Sequence, residues 1–126
     1  MTVVVDTGIL IDVLRGRVEA RDLLKRRASS GHRLLGSVVT RTELLAGVRR
    51  GEEDRTSALM RTIEWVPVDA ALADYAGQLA QRLVRSHRGI GASDYLIAAT
   101  TIWFSAELLT LNVKHFPMFT GLTAPY

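Results

Sequence analysis

The sequence predicts an α/β fold, in which a mostly parallel central sheet is flanked by helices on both faces. Short runs rich in branched apolar residues alternate along the chain with longer stretches of helical periodicity, and this alternation is typical of βαβ units. The length of 126 residues suits one domain. A hydrophobic share of 48% and a charged share of 23% are those of an ordinary globular protein. We therefore expect a single domain that spans residues 1–126.

The first half of the chain opens with a clear strand signal. Thr2–Val5 is a run of β-branched residues, which predicts a strand covered on both faces. The apolar periodicity that begins at Ile9 is closed by Arg15-Gly16, as at the end of a helix. The elements predicted in this half are the strand Thr2–Val5, the helices Ile9–Leu14 and Val18–Ser29, the strand Leu34–Val38, and the helices Thr40–Val48 and Glu53–Ile63.

The second half contains an edge strand and a central helix. Pro67 cannot donate a ladder hydrogen bond, so the strand that contains it is predicted at a sheet edge. The helix Gly91–Trp103 is apolar almost all round, which predicts a buried position. The elements predicted in this half are the strand Trp65–Val68, a helix from Leu72 to near Arg88-Gly89, the helix Gly91–Trp103, the strand Leu108–Leu111 and a short helical turn before Pro117.

The composition excludes several classes of function. The chain has no cysteine, which rules out disulfide scaffolds, thiolate zinc sites and thiol catalysis, and fits a reducing cytoplasm. Its three histidines are scattered and show no zinc-binding spacing. No apolar stretch approaches the ~20 residues that a bilayer requires, so we expect a cytoplasmic protein without a membrane partner. The net charge of +3 favours an anionic partner, nucleic acid first.

Three acidic residues occupy equivalent places in the predicted fold. Asp6 follows the first strand, Glu43 lies in the first turn of the helix after the second strand, and Asp94 lies in the first turn of the apolar helix. Each has a purely structural explanation as well: Asp6 as an N-cap, Glu43 in a capping box with Thr40, and Asp94 as a first-turn acid behind a Ser93 cap. In parallel sheets, however, ligands bind beyond the carboxyl ends of the strands. These acids can therefore meet in space.

Carboxylates gathered at one sheet end repel each other unless a cation joins them or some protonate. Helix N-termini hold such groups ionised, and Mg²⁺ prefers oxygen ligands, keeps several waters and is usually held by one or two carboxylates together with phosphate. A basic protein with an acidic centre could thus attract a polyanion and let its phosphates approach through the metal. Water activated by the metal would then serve as the nucleophile, and no nucleophilic side chain is required.

Four segments resemble, in order and over nearly the whole chain, the motifs of the PIN-domain ribonucleases, specifically the VapC-type toxins of bacterial toxin–antitoxin pairs. In the first segment, Asp6 is followed by Thr7 and then by an apolar helix that contains a second aspartate, Asp12. The four segments are Val5–Gly16, Ser37–Gly47, Gly91–Ala99 and Leu109–Phe116. The resemblance implies a PIN fold and RNA cleavage that depends on Mg²⁺, with Mn²⁺ as an alternative.

The resemblance also assigns roles by position. It makes Asp6, Glu43 and Asp94 the catalytic, metal-binding acids, and it implies that Thr7 and Thr110 steady the cluster through their hydroxyls. The residues predicted to support the site are Thr7, Asp12, Thr110 and Asn112. Many PIN domains carry a fourth acid where this chain has Asn112, so one metal ion held by the protein is the expectation. Asp12 is expected in a supporting or surface role rather than as a ligand.

Two further expectations concern His115 and the partner proteins. We expect His115 to pack at a helix end beside Phe116-Pro117 rather than act as a base. The resemblance implies a cognate antitoxin that covers the acidic pocket and a homodimer of toxin subunits. The apolar positions that are candidates for these contacts, or simply for the core, are Leu44, Leu45, Val48, Leu59, Met60 and Ile63.

Two other classes of function compete with the nuclease. A phosphoacceptor receiver domain has a similar length and sheet, but it requires adjacent acids after the first strand, where Asp6 is followed by Thr7-Gly8. It also requires a phosphoacceptor aspartate after a middle strand, and none is found there. A non-catalytic module that captures RNA or a protein is the third hypothesis. Bare carboxylates weaken the binding of polyanions and so count against it.

Overall fold

The computed structural model describes residues 1–126 as one α/β domain with six α-helices and four strands. The strands form a single parallel sheet in the order β3-β2-β1-β4. Its strands and helices are β1 Thr2–Val5, α1 Thr7–Leu14, α2 Val18–Ser29, β2 Arg33–Ser37, α3 Val38–Ala46, α4 Glu53–Met60, β3 Glu64–Val66, α5 Ala70–Leu83, α6 Ala92–Trp103 and β4 Glu107–Leu109, followed by a 3-10 helix at Val113–His115. The predicted fold class is confirmed.

Two hydrophobic clusters cover the two faces of the sheet. Successive side chains of a strand point to opposite faces, and β1 divides accordingly: Val3 and Val5 pack with α1, α2 and α4, whereas Val4 packs with α5 and α6. All three valines have no exposed surface. β1 is therefore a central strand covered on both faces, as its branched sequence predicts.

Strand β3 lies at an edge, as predicted, although Pro67 lies just beyond its last residue. The β2 residue that pairs with Trp65 of β3 has to be glycine. A Cβ at Gly36 would lie 2.7 Å from the Trp65 ring and 2.9 Å from Ile63, closer than packed atoms allow. The Trp65 ring thus packs directly over the backbone of β2.

Several predicted helix boundaries are wrong, among them the end of α4, which lies at Met60 rather than Ile63. Helix α3 begins at Val38, with Ser37 as its N-cap through the Val39 N–H, because the chain passes from β2 into the helix without a loop. The predicted start, Thr40, lies two residues further along the chain. Helix α5 ends at Leu83, well before Arg88-Gly89. No helix combines the length and the apolar composition needed to cross a bilayer.

Candidate active site

The first strand ends at the point where the strand order reverses. The chain runs from β1 through β2 to β3 on one side, and β4 then pairs with the other side of β1. Such a switch point leaves a crevice at the carboxyl ends of the strands, where open α/β sheets bind ligands. Asp6 follows β1 here, and its N–H donates to the Leu109 carbonyl at 2.9 Å. The β1–β4 pairing thus fixes its position.

The Asp6 carboxylate is buried, with 5% of the residue exposed. Its Oδ1 accepts the Thr7 N–H at 2.9 Å as the N-cap of α1, and its Oδ2 accepts the Thr110 hydroxyl at 2.6 Å. The Thr110 oxygen accepts in turn the Asn112 N–H at 3.0 Å. An ionised carboxylate oxygen has about two acceptor sites. One site on each oxygen of Asp6 therefore remains for another ligand.

The electrostatic surroundings of Asp6 oppose its ionisation. Burial is the main cause that raises the pKa of Asp6, and the negative charges of Asp94 and Glu43 raise it further. The hydrogen bonds from Thr110 and Thr7 lower the pKa and offset part of this effect. Asp6 and Glu43 form no ion pair with a basic side chain, and His115 is the only basic side chain close to Asp94. Asp6 thus has two acids for electrostatic neighbours and no basic side chain to balance its charge.

Glu43 is exposed and lies on the second turn of α3 rather than the first, because the helix starts earlier than predicted. The predicted capping box with Thr40 is therefore wrong. Glu43 Oε1 instead accepts the Thr7 hydroxyl at 2.7 Å. The Thr7 and Thr40 hydroxyl oxygens lie 3.1 Å apart. Since Thr7 has one hydroxyl hydrogen and gives it to Glu43, the fully buried Thr40 supplies the hydrogen of this second bond.

Asp94 is the third residue of α6, whose N-cap is Gly91 rather than Ser93. Its Oδ2 accepts the Gly91 N–H at 3.3 Å and lies 3.2 Å from Nδ1 of His115. His115 lies at the end of a short helix as expected, and its contact with Asp94 is an addition that was not predicted. The neighbouring Phe116, 1% exposed, fills the hydrophobic core.

The other two predicted supporting residues differ in their contacts. Asn112 is exposed, and its backbone N–H is the group that reaches Thr110. Asp12 contacts none of the three acids. Its Oδ2 accepts the Tyr126 hydroxyl at 2.7 Å and lies 3.8 Å from Nη1 of Arg17. Asp12 thus ties the end of the chain to α1.

The residues at the switch point fit a hard divalent cation in their chemistry. Every acid offers oxygen ligands, and an added positive charge would relieve the mutual repulsion that raises the pKa of Asp6. No three Asp, Glu or His side chains lie close enough together to form a ready-made cage. This arrangement suits an ion that takes one or two protein carboxylates and completes its shell with water, as Mg²⁺ does.

Sequence reasoning misses two residues of this site, Thr40 and His115. Thr40 looked like a helix cap because a threonine three residues before a glutamate is a common start signal. His115 looked like a packing residue because its partner Asp94 lies on another element. The contacts of Thr40 with Thr7 and of His115 with Asp94 could be inferred only once β1, β2 and β4 were known to lie side by side in the sheet.

Comparisons with known proteins agree with the geometry. The family model of the PIN domain matches residues 3–116. The chain belongs to the PIN-domain family. It is 46% identical to ribonuclease VapC19 of Mycobacterium tuberculosis, over 97% of this chain and 98% of that protein. Ribonuclease VapC10 of the same organism is 42% identical, over 98% and 92% respectively.

A solved toxin–antitoxin complex from Klebsiella pneumoniae has the same fold, with a TM-score of 0.78 and 26% identity over 98% of both chains. These similarities place the chain among the VapC ribonucleases and set aside the receiver-domain alternative. PIN-domain ribonucleases generally depend on a divalent metal. The acidic centre at the end of β1 is the part of this PIN-domain protein that matches such a requirement.

Proposed function

We propose that this PIN-domain protein is a metal-dependent endoribonuclease and the toxin of a type II toxin–antitoxin pair. The observation that carries the proposal is the buried carboxylate of Asp6, whose pKa is raised by burial and by Asp94 and Glu43 and which has no basic partner. A structural carboxylate in such a position would normally be paired. We further propose that residues 1–126 act as one PIN domain in the cytoplasm.

Asp6, Glu43 and Asp94 would hold Mg²⁺, or Mn²⁺ in its place. When bound, the ion supplies positive charge that lowers the pKa of water and stabilises negative charge on a phosphate. The oxygens of Asp6 that face the switch point are the primary candidates for direct contact, since each keeps an unused acceptor site. Asn112, in place of a fourth acid, adds no charge, which supports a single ion held by the protein.

The chain's own residues prepare the site for hydrolysis. The hydrogen bonds from the Thr110 hydroxyl and the Thr7 N–H favour the ionised form of Asp6 against the effect of burial. The Gly91 N–H before α6 bonds one oxygen of Asp94. Thr7 fixes one oxygen of Glu43 and leaves the other for the attacking water. Because Glu43 is exposed whereas Asp6 is buried, Glu43 is the acid that an incoming RNA phosphate and its water would meet first. The net charge of +3 supports RNA as the substrate.

The proposed partners are a cognate antitoxin over the acidic centre and a second copy of this chain. Three of the apolar candidates for these contacts, Leu44, Met60 and Ile63, belong to the core. Leu45 is 50% exposed and borders a cleft of about 510 Å³. We propose Leu45 as a homodimer contact, and expect Leu45→Glu to sediment as a monomer where the parent protein sediments as a dimer. Dimers of unchanged stability would contradict this.

The proposed activity can be tested by mapping cleavage ends on total RNA, with and without chelator. We expect discrete ends that disappear with EDTA and return with Mg²⁺ or Mn²⁺. Asp94→Asn should abolish them, while the control Asp74→Asn, at an exposed position of α5 without an ion-pair partner, should cleave normally. Both variants should keep the parent circular dichroism spectrum. RNA binding without cleavage, or cleavage that ignores the chelator, would overturn the proposal.

A further inference from the structure

We propose that His115 is a positioning residue for Asp94, whose carboxylate it holds through Nδ1–H so that Oδ1 stays available to the cation. This inference rests on the proposed function and extends it to a residue outside the acidic set. Its basis is the contact of 3.2 Å between His115 Nδ1 and Asp94 Oδ2.

The two oxygens of Asp94 have unequal surroundings. Oδ2 accepts the Gly91 N–H at 3.3 Å and lies 3.2 Å from His115 Nδ1, whereas Oδ1 has no hydrogen-bond partner from the protein. The Asp94 side chain is 19% exposed, so water can reach it. Both neighbours lie on the same oxygen, so donation from His115 as well as from the Gly91 N–H would fix the rotation of the carboxylate and present the other oxygen in a constant orientation.

His115 is itself held in place by its neighbours. It ends the 3-10 helix after β4, where its N–H donates to the Asn112 carbonyl at 2.9 Å. The next residue, Phe116, is 1% exposed and packs in the core. The same segment supplies Thr110, whose hydroxyl bonds Asp6 at 2.6 Å. Residues 110–116 therefore connect two of the three acids from one short, anchored piece of chain.

In the proposed hydrogen bond, the hydrogen comes from histidine. An ionised carboxylate only accepts hydrogen bonds, so Nδ1 carries the proton. Both the neutral Nδ1–H tautomer and the imidazolium donate from Nδ1, and the contact therefore does not depend on the charge of the ring. Its effect is to pre-orient a ligand, which reduces the conformational freedom lost when a cation binds.

The first test compares three variants by calorimetric titration with Mn²⁺. We expect His115→Ala to bind Mn²⁺ about tenfold more weakly, as is usual when an outer partner of a metal ligand is removed. His115→Asn should bind nearly as well as the parent, because the asparagine amide can donate from the place of Nδ1. Lys114→Ala, a change at an exposed neighbour, should have no effect.

Cleavage kinetics provide a second readout. In His115→Ala, kcat should fall at low Mn²⁺ and recover at saturating Mn²⁺, while the KM for RNA stays constant. A general loss of structure would not be rescued in this way. A His115→Ala variant with the Mn²⁺ affinity of the parent would overturn the inference, as would a His115→Asn variant as weak as the alanine variant.

The tautomer of His115 gives a test in the metal-free protein. Nitrogen-15 NMR should show that the neutral His115 ring carries its hydrogen on Nδ1, and that the population of this tautomer changes in Asp94→Ala. A ring that carries its hydrogen on Nε2 in the parent protein would overturn the inference.

The outcomes of these tests also separate the two proposals.

A parent protein that neither binds Mn²⁺ nor cleaves RNA overturns the proposed function and this inference with it. Mn²⁺-dependent cleavage unaffected by His115→Ala overturns this inference alone.

Discussion

Asp6 and Glu52 are both buried carboxylates, with 5% and 6% of their residue surface exposed, yet their surroundings are opposite. Glu52 Oε1 accepts the Arg49 N–H at 2.7 Å, and its Oε2 lies 2.7 Å from Nη1 of Arg15. The pKa of Glu52 is lowered, first by the Arg49 backbone hydrogen bond and then by Arg15. Asp6 has acids for neighbours, and its pKa is raised.

This difference distinguishes a carboxylate that supports the fold from one that serves a site. Glu52 joins the end of α1 to the segment before α4, and its charge is matched by the protein itself. The charge of Asp6 is matched by nothing in the protein, and its ionised form is held by two hydrogen bonds against burial and repulsion. A charge that balances ionised Asp6 would have to come from outside the protein, which is the role we propose for the cation.

Neutralising Asp6 should have the largest effect. We expect Asp6→Asn to lower RNA cleavage by at least about a hundredfold, because it removes the charge that we propose binds the metal. Its stability in EDTA should equal or exceed that of the parent, since asparagine caps helices well and the unfavourable charge is gone. Cleavage assays and thermal unfolding check the two parts. An active Asp6→Asn variant would contradict the distinction between Asp6 as a residue of the site and Glu52 as a residue of the fold.

Thr110→Val should reduce cleavage by about tenfold while the protein stays folded. The reason is that the Thr110 hydroxyl lowers the pKa of Asp6 and orients its Oδ2. The matched control is Thr56→Val, at a buried threonine whose hydroxyl donates to the Glu52 carbonyl at 2.8 Å. Single-turnover cleavage should be slower in the first variant and normal in the second. Equal rates in both would show that the Thr110 hydroxyl does not act on the site.

Glu52→Gln should lower the melting temperature by several degrees and leave kcat unchanged. The glutamine can still accept the Arg49 N–H, but its amide nitrogen then faces the Arg15 guanidinium, so the ion pair is lost. Calorimetric unfolding together with an RNA cleavage assay checks both parts. Loss of activity in a folded Glu52→Gln protein would mean that this region also serves the chemistry.

The smallest effect is on the dependence of stability on pH, and it has opposite signs at the two acids. The stabilisation from Glu52, whose pKa is lowered, is complete above its ordinary value of 4.5 and is lost as the pH falls below it. The pKa of Asp6 is raised, so its contribution declines as the pH rises from 3.8 through the folded-state pKa. In EDTA, the stability of Asp6→Asn relative to the parent should increase as the pH rises above 3.8. The stability of Glu52→Gln should approach that of the parent as the pH falls below 4.5. If the stability of both variants relative to the parent changed with pH in the same direction, the opposite roles given to Asp6 and Glu52 would be contradicted.

The fold could be predicted from the sequence because its signals are local. The branched run Thr2–Val5 indicated a central strand, Pro67 indicated an edge, and the strand–helix alternation indicated the parallel sheet. The start of α3 could not be read in this way, since Ser37 and Thr40 are both good caps and only the end of β2 decides between them.

The candidate site was predictable only in part. The positions of Asp6 and Asp94 follow from the rule that parallel strands end at one edge. The links that orient them depend on contacts between distant residues, such as Thr110 with Asp6, 104 positions apart. The contact of Asp12 with Tyr126, 114 positions apart, was equally invisible. A local pattern carries no signal for such pairs.

The most direct test of the central claim is a crystal of this protein grown with Mn²⁺ and examined by anomalous scattering. The account predicts one strong peak at the carboxyl end of β1, with Asp6 as a direct ligand and Asp94 or Glu43 bound directly or through water. Crystals of Asp6→Asn should lack that peak. Mn²⁺ bound only elsewhere, with Asp6 unliganded in a protein that still cleaves RNA, would contradict the account.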